Sequence, residues 1–107
     1  MNPCTRRFGI SVLTLLATGW FAGHAYGATL VVANKAEATA SLIDLGSGNV
    51  VATLATGDGP HEVGISPDGR FALVTNYGRR DVSGSSLTLI DIANAKAVKT
   101  IDLGAPM

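Results

Sequence analysis

Residues 29–102 contain two copies of one pattern of short strands. Three segments of the first copy return in the second, 42 to 47 positions later. They are Val-Ala-Asn at 32–34 and Val-Thr-Asn at 74–76, Leu-Ile-Asp at 42–44 and 89–91, and Val-Ala-Thr-Leu at 51–54 and Val-Lys-Thr-Ile at 98–101. The extra positions in the later spacings fall in a loop around residues 81–85, where an insertion costs little. A period of about forty residues with four strands per unit is typical of a β-propeller blade.

Turn residues separate these strands. Each short apolar, β-branched run ends in Gly, Pro, Asn or Asp, and no helical periodicity follows residue 28. The strands are predicted at residues 29–33, 41–44, 50–54, 62–66, 71–75, 86–91 and 97–102, and residues 76–85 are predicted to form a loop. Ser-Pro-Asp-Gly at 66–69 suits a tight turn, because Pro presets its φ and Gly accepts the exit. We therefore predict an all-β fold.

Two stretches resemble the YVTN β-propeller repeat family, extracytoplasmic proteins with blades of about forty residues. They are Gly-Pro-His-Glu-Val-Gly-Ile-Ser-Pro-Asp-Gly-Arg-Phe-Ala-Leu-Val-Thr-Asn at 59–76 and Leu-Thr-Leu-Ile-Asp at 87–91. The resemblance covers nearly all of residues 29–104 and implies blades of four antiparallel strands. Residues 28–107 are then the repeat region, with a three-stranded partial blade at 29–56, a complete blade at 57–103 and the start of another at 104–107. Because these blades cannot close a propeller, we expect the chain to be an N-terminal fragment.

Residues 1–27 have the three parts of a secretory signal peptide. Arg6 and Arg7 precede an uncharged apolar run at 8–22, and small residues follow. Cleavage is predicted after Gly27, with a cut after Ala25 as the alternative. An uncleaved anchor and a twin-arginine signal stay open, although the run is shorter than the ~20 residues of a membrane span. We expect a periplasmic or secreted protein that has no membrane attachment after cleavage.

The composition after residue 27 excludes several kinds of site. There is no Cys, His61 is the single His, and Phe71 and Tyr77 are the only aromatic residues. Six basic and eight acidic residues give a net charge of −2, which does not suit a nucleic-acid partner. No nucleophile elbow, paired-His zinc motif or phosphate-binding loop is present. We therefore predict no cofactor and name no catalytic residue.

The candidate ligand-binding residues are His61, Arg79, Arg80 and Asp81. His61 begins the innermost strand of the complete blade, where it could face the channel and bind a metal or act as a base. It could equally fill the turn between blades, so a metal site stays unknown. The Arg-Arg-Asp segment could clamp a carboxylate or phosphate, or be a solvated loop tip.

Four further polar residues end equivalent strands. Asn34 and Asn76 are expected to cap loop backbone groups, and Asp44 and Asp91 to cap turns. A ligand role is the alternative for the two asparagines.

We expect a binding or scaffold module whose partner is an envelope protein or a small ligand at the channel mouth. The alternative is a propeller enzyme, either a lactonase-like hydrolase or a cofactor-carrying redox domain, with its site at that mouth. A third possibility is self-association through exposed blade edges, since unpaired strands invite partners.

Overall fold

The computed structural model describes residues 27–107, which form seven strands. The strands are β1 (Thr29–Asn34), β2 (Thr39–Asp44), β3 (Val50–Ala55), β4 (Pro60–Ile65), β5 (Phe71–Arg79), β6 (Val82–Asp91) and β7 (Lys96–Asp102). A short 3₁₀ helix, Lys35–Glu37, joins β1 to β2. Residues 1–26, which include nearly all of the predicted signal peptide, lie outside the described residues.

The strands form two antiparallel sheets, each in sequence order. The first sheet has the order β1-β2-β3 and the second β4-β5-β6-β7. The prediction of one three-stranded and one four-stranded blade is confirmed, as is the all-β class. Within residues 27–107 there is no α-helix, and the two sheets do not close a ring.

The predicted loop at 76–85 is wrong. β5 runs to Arg79 and β6 starts at Val82, and these two residues pair across a two-residue turn. The ladder continues through this segment because glycines allow a bulge between Asn76 and Gly78. Gly78 has a φ of 97°, and a Cβ on Gly84 would collide with the backbone carbonyl of Asn76. The Gly and Ser residues that predicted a loop therefore permit close backbone packing inside a hairpin.

The two sheets pack face to face around a small apolar core. Ala40 and Leu42 of the first sheet are fully buried with Ala72, Val74 and Ile90 of the second. These residues are alternate positions along their strands, as burial of one face requires. Burial of each larger side chain contributes about 1.5–3 kcal/mol. Outside this core, β1 contacts β4 and β3 contacts β7, so the two packed sheets also meet at both of their edges.

Aspartates order the turns at one end of the sheets. Asp44 accepts hydrogen bonds from the Gly46 backbone N–H and the Ser47 hydroxyl. Asp91 accepts from the backbone and side chain of Asn94. Turn capping by these two aspartates is therefore confirmed. The hydrogen bond from the Asn94 side chain, helped by its backbone N–H, lowers the pKa of Asp91 below its ordinary value.

The turn between β4 and β5 has the predicted form. The Gly69 N–H donates to the Ser66 carbonyl at 2.8 Å, and Gly69 has a φ of 74°. Asp68 accepts from the Ser66 hydroxyl at 2.6 Å and from the Arg70 backbone N–H at 3.0 Å. These bonds, the Ser66 hydroxyl foremost, lower the pKa of the Asp68 carboxyl. Ionisation of the Asp68 carboxyl therefore strengthens this turn.

No helix within residues 27–107 has the length and apolar character needed to cross a bilayer.

Candidate functional site

Two backbone segments cross closely at the end of the second sheet where β4 begins. The Tyr77 N–H donates to the Gly59 carbonyl at 2.9 Å, and the Gly78 N–H donates to the Asp58 carbonyl at 2.8 Å. Gly59 has a φ of 65°, and a Cβ there would collide with the carbonyl of Gly78. Only glycine fits both demands. The crossing places the side chains that precede β4 beside those at the end of β5.

His61 and Tyr77 stack on each other at this end. Their ring centroids are 4.8 Å apart and their planes differ by 11°. The stack forms beside a bulge between Pro60 and Val63, where the Glu62 N–H donates to the Thr75 hydroxyl at 2.9 Å instead of to the ladder. His61 is exposed, and Tyr77 retains 42% of its surface. The result is a flat aromatic platform that faces solvent.

Arg79 and Asp58 form an ion pair at the same end. The Arg79 Nε lies 3.1 Å from Asp58 Oδ2, and the two side chains are 67% and 53% exposed. A pair this exposed contributes at most about 1 kcal/mol to stability. The pair uses the Nε of the guanidinium, whose terminal N–H groups are further hydrogen-bond donors. Since Tyr77 and Arg79 are two apart on β5, the ion pair and the platform border one surface.

The four predicted site residues differ in the contacts they make. His61 and Arg79 each gain a partner, whereas Arg80 and Asp81 form the exposed turn between β5 and β6. No salt bridge in the described chain includes Arg80 or Asp81. Sequence reasoning did not identify the partners Tyr77 and Asp58, because it ended β5 at residue 75. Extension of that strand through the glycines would have placed Tyr77 and Arg79 beside the segment that leads into β4, which contains Asp58 and His61.

Asn34 and Asn76 do not cap backbone groups, so that prediction is wrong. The Asn76 amide donates to the hydroxyls of Ser86 and Thr88, each at 3.0 Å. Asn34 makes the equivalent bonds to Thr39 at 3.0 Å and Ser41 at 2.9 Å. These hydroxyls lie on the neighbouring strand at repeat-equivalent positions, a signal that was readable in the sequence.

Asn76 also differs from Asn34 in burial. It is only 1% exposed, and its Oδ1 finds no hydrogen-bond partner among residues 27–107. Gly57 covers it, since a Cβ there would lie 2.8 Å from the Asn76 amide nitrogen. Asn76 therefore packs against the segment that connects the two sheets, just before the candidate site.

His61 has no cluster of metal ligands around it. Residues 27–107 contain no group of three or more His, Cys, Asp or Glu side chains that could hold a metal ion. A groove of about 470 Å³ lies elsewhere, on an apolar face of the second sheet. A second cavity of about 320 Å³ lies near the turns at the opposite end. Neither is lined by a candidate residue, so the site is an exposed surface.

Comparison with known proteins identifies the fold family. A family model described as YNCE-like beta-propeller matches residues 11–107. The chain belongs to this family. The match confirms the predicted propeller repeat, and the two sheets are therefore two of its blades. In the second blade β4 is the first strand and an edge of the sheet, so His61 lies near the start of an edge strand.

A solved structure shows the same architecture. Over 68% of this chain, a chain of hydrazine synthase from Kuenenia stuttgartiensis is 27% identical with a TM-score of 0.62. The match covers 20% of that protein, so this chain spans about a fifth of its length. A comparison with curated proteins gave no match.

Proposed function

We propose that this chain is an exported β-propeller module that binds a partner at the end carrying His61. One observation carries the proposal. The exposed His61–Tyr77 stack lies beside the Arg79–Asp58 ion pair, at the end of the second blade where β4 begins. Exposed aromatic rings without a structural partner on their outer side are typical of binding surfaces.

The chemistry of this surface selects the kind of group it binds. A flat aromatic face accepts a planar ring by stacking. The Arg79 guanidinium, oriented by Asp58, suits a carboxylate or phosphate. The proposed ligand is therefore a planar group with an attached anion, either on a small molecule or on an envelope protein.

Binding is tested with variants at the two ends of the blade. Thermal-shift titrations use a panel of aromatic carboxylates and nucleoside phosphates. We expect Tyr77→Ala and Arg79→Ala to abolish the shift produced by the ligands that stabilise the wild type. Arg70→Ala is the matched control, because Arg70 is an exposed arginine at the opposite end, 5.2 Å from the Phe71 ring centroid. Equal loss in Arg70→Ala, or binding that survives in both site variants, would contradict the proposal.

Export rests on the N-terminal sequence. The Arg pair, the uncharged apolar run and the small residues up to Gly27 favour a cleaved secretory signal in a bacterial envelope protein. Mass spectrometry of the protein from fractionated cells should find an N-terminus at Ala28, or at Tyr26, in the periplasmic or secreted fraction. An intact Met1 in the cytoplasmic fraction would contradict export.

A second candidate is a propeller domain within an enzyme. It is favoured by the likeness to hydrazine synthase, whose name is that of an enzyme. Elemental analysis and visible absorption spectra of the full purified protein distinguish the two. A stoichiometric metal or cofactor would favour the enzyme, and its site would then have to involve residues beyond those of the His61 surface.

A further inference from the structure

The first strand of the second blade, β4, has an open side. It pairs with β5 alone, and β1 of the first blade packs near it without pairing with it. Of the six residues of β4, only Pro60 is buried. A blade is a four-stranded sheet, and this one has all four strands. The open side of β4 is therefore a property of the blade and does not depend on how many blades the protein has.

Two residues of β4 direct their backbone N–H and C=O groups toward this open side. Just after β4, the Ser66 N–H donates to the Phe71 carbonyl at 2.9 Å. In an antiparallel pair, residues that bond to the partner strand alternate with residues whose backbone groups point away from it. Since Ser66 and Gly64 bond to β5, Val63 and Ile65 are the residues that point away. An added strand would pair with β4 through these two residues.

The charge at the start of β4 selects the direction of such a strand. A strand antiparallel to β4 ends where β4 begins, beside the His61–Tyr77 stack and Arg79. If the polypeptide ends there, its α-carboxylate lies near the terminal N–H groups of the Arg79 guanidinium, which suit a carboxylate. A strand parallel to β4 would instead bring the ammonium group of a chain start to that cation. The electrostatics therefore favour an antiparallel C-terminal strand.

The pairing register determines which residue of that strand reaches the aromatic platform. When the third residue from its end exchanges backbone hydrogen bonds with Val63, the last residue lies two positions further, beside the bulge that carries His61. Side chains opposite each other on neighbouring strands are about 4.5–5.5 Å apart, a spacing at which aromatic rings stack. An aromatic last residue can therefore stack on the His61–Tyr77 pair.

We propose that the ligand of this surface is the C-terminus of a polypeptide whose last residue is aromatic, added as an antiparallel strand to β4. This inference rests on the proposed binding function and makes it specific. The planar group is the ring of the last residue, and the anion is its α-carboxylate. Main-chain hydrogen bonds to Val63 and Ile65 supply affinity for an extended chain, whereas the stack and Arg79 select its end.

Fluorescence anisotropy with synthetic peptides and the purified full chain tests the proposal. The probe is a pentapeptide of alternating Thr and Val that ends in Phe with a free carboxylate and carries a fluorophore at its N-terminus. Three changes should each weaken binding at least about tenfold: amidation of the carboxylate, Ala in place of the Phe, and transfer of the Phe to the first position. An amide that binds as tightly as the acid would overturn the proposal, and so would a peptide that binds as tightly with its Phe moved.

N-acetylphenylalanine separates the proposal from the binding function on which it rests. It has the ring and the carboxylate but no strand, so it should compete with the probe at least about tenfold more weakly than the unlabelled pentapeptide. N-methylation of the third residue from the end should abolish that advantage, because it removes the N–H that the Val63 carbonyl would accept.

A pentapeptide that does not bind, or that binds no more tightly than N-acetylphenylalanine, would show that strand addition is wrong. The binding function would still stand if a ligand of the thermal-shift panel stabilises the wild type and loses this effect in the Tyr77→Ala and Arg79→Ala variants. The two failures are therefore distinguishable.

Two measurements on the protein locate the added strand. Hydrogen exchange followed by NMR should slow at the Val63 and Ile65 amides with the pentapeptide but not with saturating N-acetylphenylalanine. Tyr77→Ala and Arg79→Ala should weaken peptide binding at least about tenfold, whereas Arg70→Ala should bind as the wild type does. Unchanged exchange at both amides, or protection at β7 on the other edge of the sheet instead, would overturn the proposal. The peptide series needs no change to the protein, so it decides the question even where a protein variant does not fold.

Discussion

Asn76→Ala should destabilise the fold by about 2 kcal/mol. The variant loses two hydrogen bonds of 3.0 Å, to Ser86 and Thr88, each with a net contribution of about 1 kcal/mol. Loss of the amide group also leaves a small cavity at a site that is 1% exposed, which adds about 1 kcal/mol. Against this, the wild type buries an unpaired Oδ1, and its removal returns about 1 kcal/mol. These contributions sum to about 2 kcal/mol, or roughly 8–16 °C in Tm for a chain of this size.

Asn34→Ala is the matched control for this prediction. It removes the equivalent pair of bonds, to Thr39 and Ser41, but from a half-buried position. Water can replace the amide there, so we expect a loss of about 1 kcal/mol or less. Urea and thermal denaturation followed by far-UV circular dichroism measure both. The reasoning is refuted if Asn76→Ala lies within about 0.5 kcal/mol of the wild type, or if Asn34→Ala costs as much.

Three further perturbations test other parts of the structure. Gly57→Ala should cost about 1–3 kcal/mol by overpacking against Asn76, while Gly64→Ala, with nothing within 4 Å of its added Cβ, should be close to neutral. The Gly57→Ala cost should shrink in an Asn76→Ala background, and strict additivity would contradict the contact. Gly59→Ala should cost more than about 2 kcal/mol, because its φ of 65° and the Gly78 carbonyl both exclude a Cβ, and a wild-type Tm would contradict this. Because the pKa of Asp68 is lowered in the folded state, its contribution is present above the unfolded pKa and is lost as the pH falls through the folded one. Asp68→Asn should therefore reduce the loss of stability that occurs below about pH 4. If urea denaturation shows the same dependence of the unfolding free energy on pH in this variant as in the wild type, that assignment is contradicted.

The strand order and the blade architecture were predictable from the sequence because each strand carries its own signal. Apolar β-branched runs mark the strands, and turn residues such as Pro67 and Gly69 mark where they end. The repeat then fixes which strands are equivalent. Both kinds of information are local or periodic, so a single sequence contains them.

The candidate site was only partly predictable because it depends on irregular backbone. The His61–Tyr77 stack and the Arg79–Asp58 pair both follow from bulges, one between Pro60 and Val63 and another around Gly78. A bulge changes which residues face each other, so strict alternation fails there. A glycine in the sequence is consistent with a loop or with a close approach of two backbone segments, and only the packed structure distinguishes the two.

The most direct test of the account is the location of ligand contact on the folded chain. Chemical-shift mapping of the ¹⁵N-labelled protein, titrated with the aromatic anions that raise its Tm, measures this location. The account predicts shifts concentrated at residues 58–61 and 76–79, with saturation that Tyr77→Ala and Arg79→Ala remove. Shifts confined to the turns at 66–69 and 92–95, or to the apolar groove beside Leu73, would contradict it.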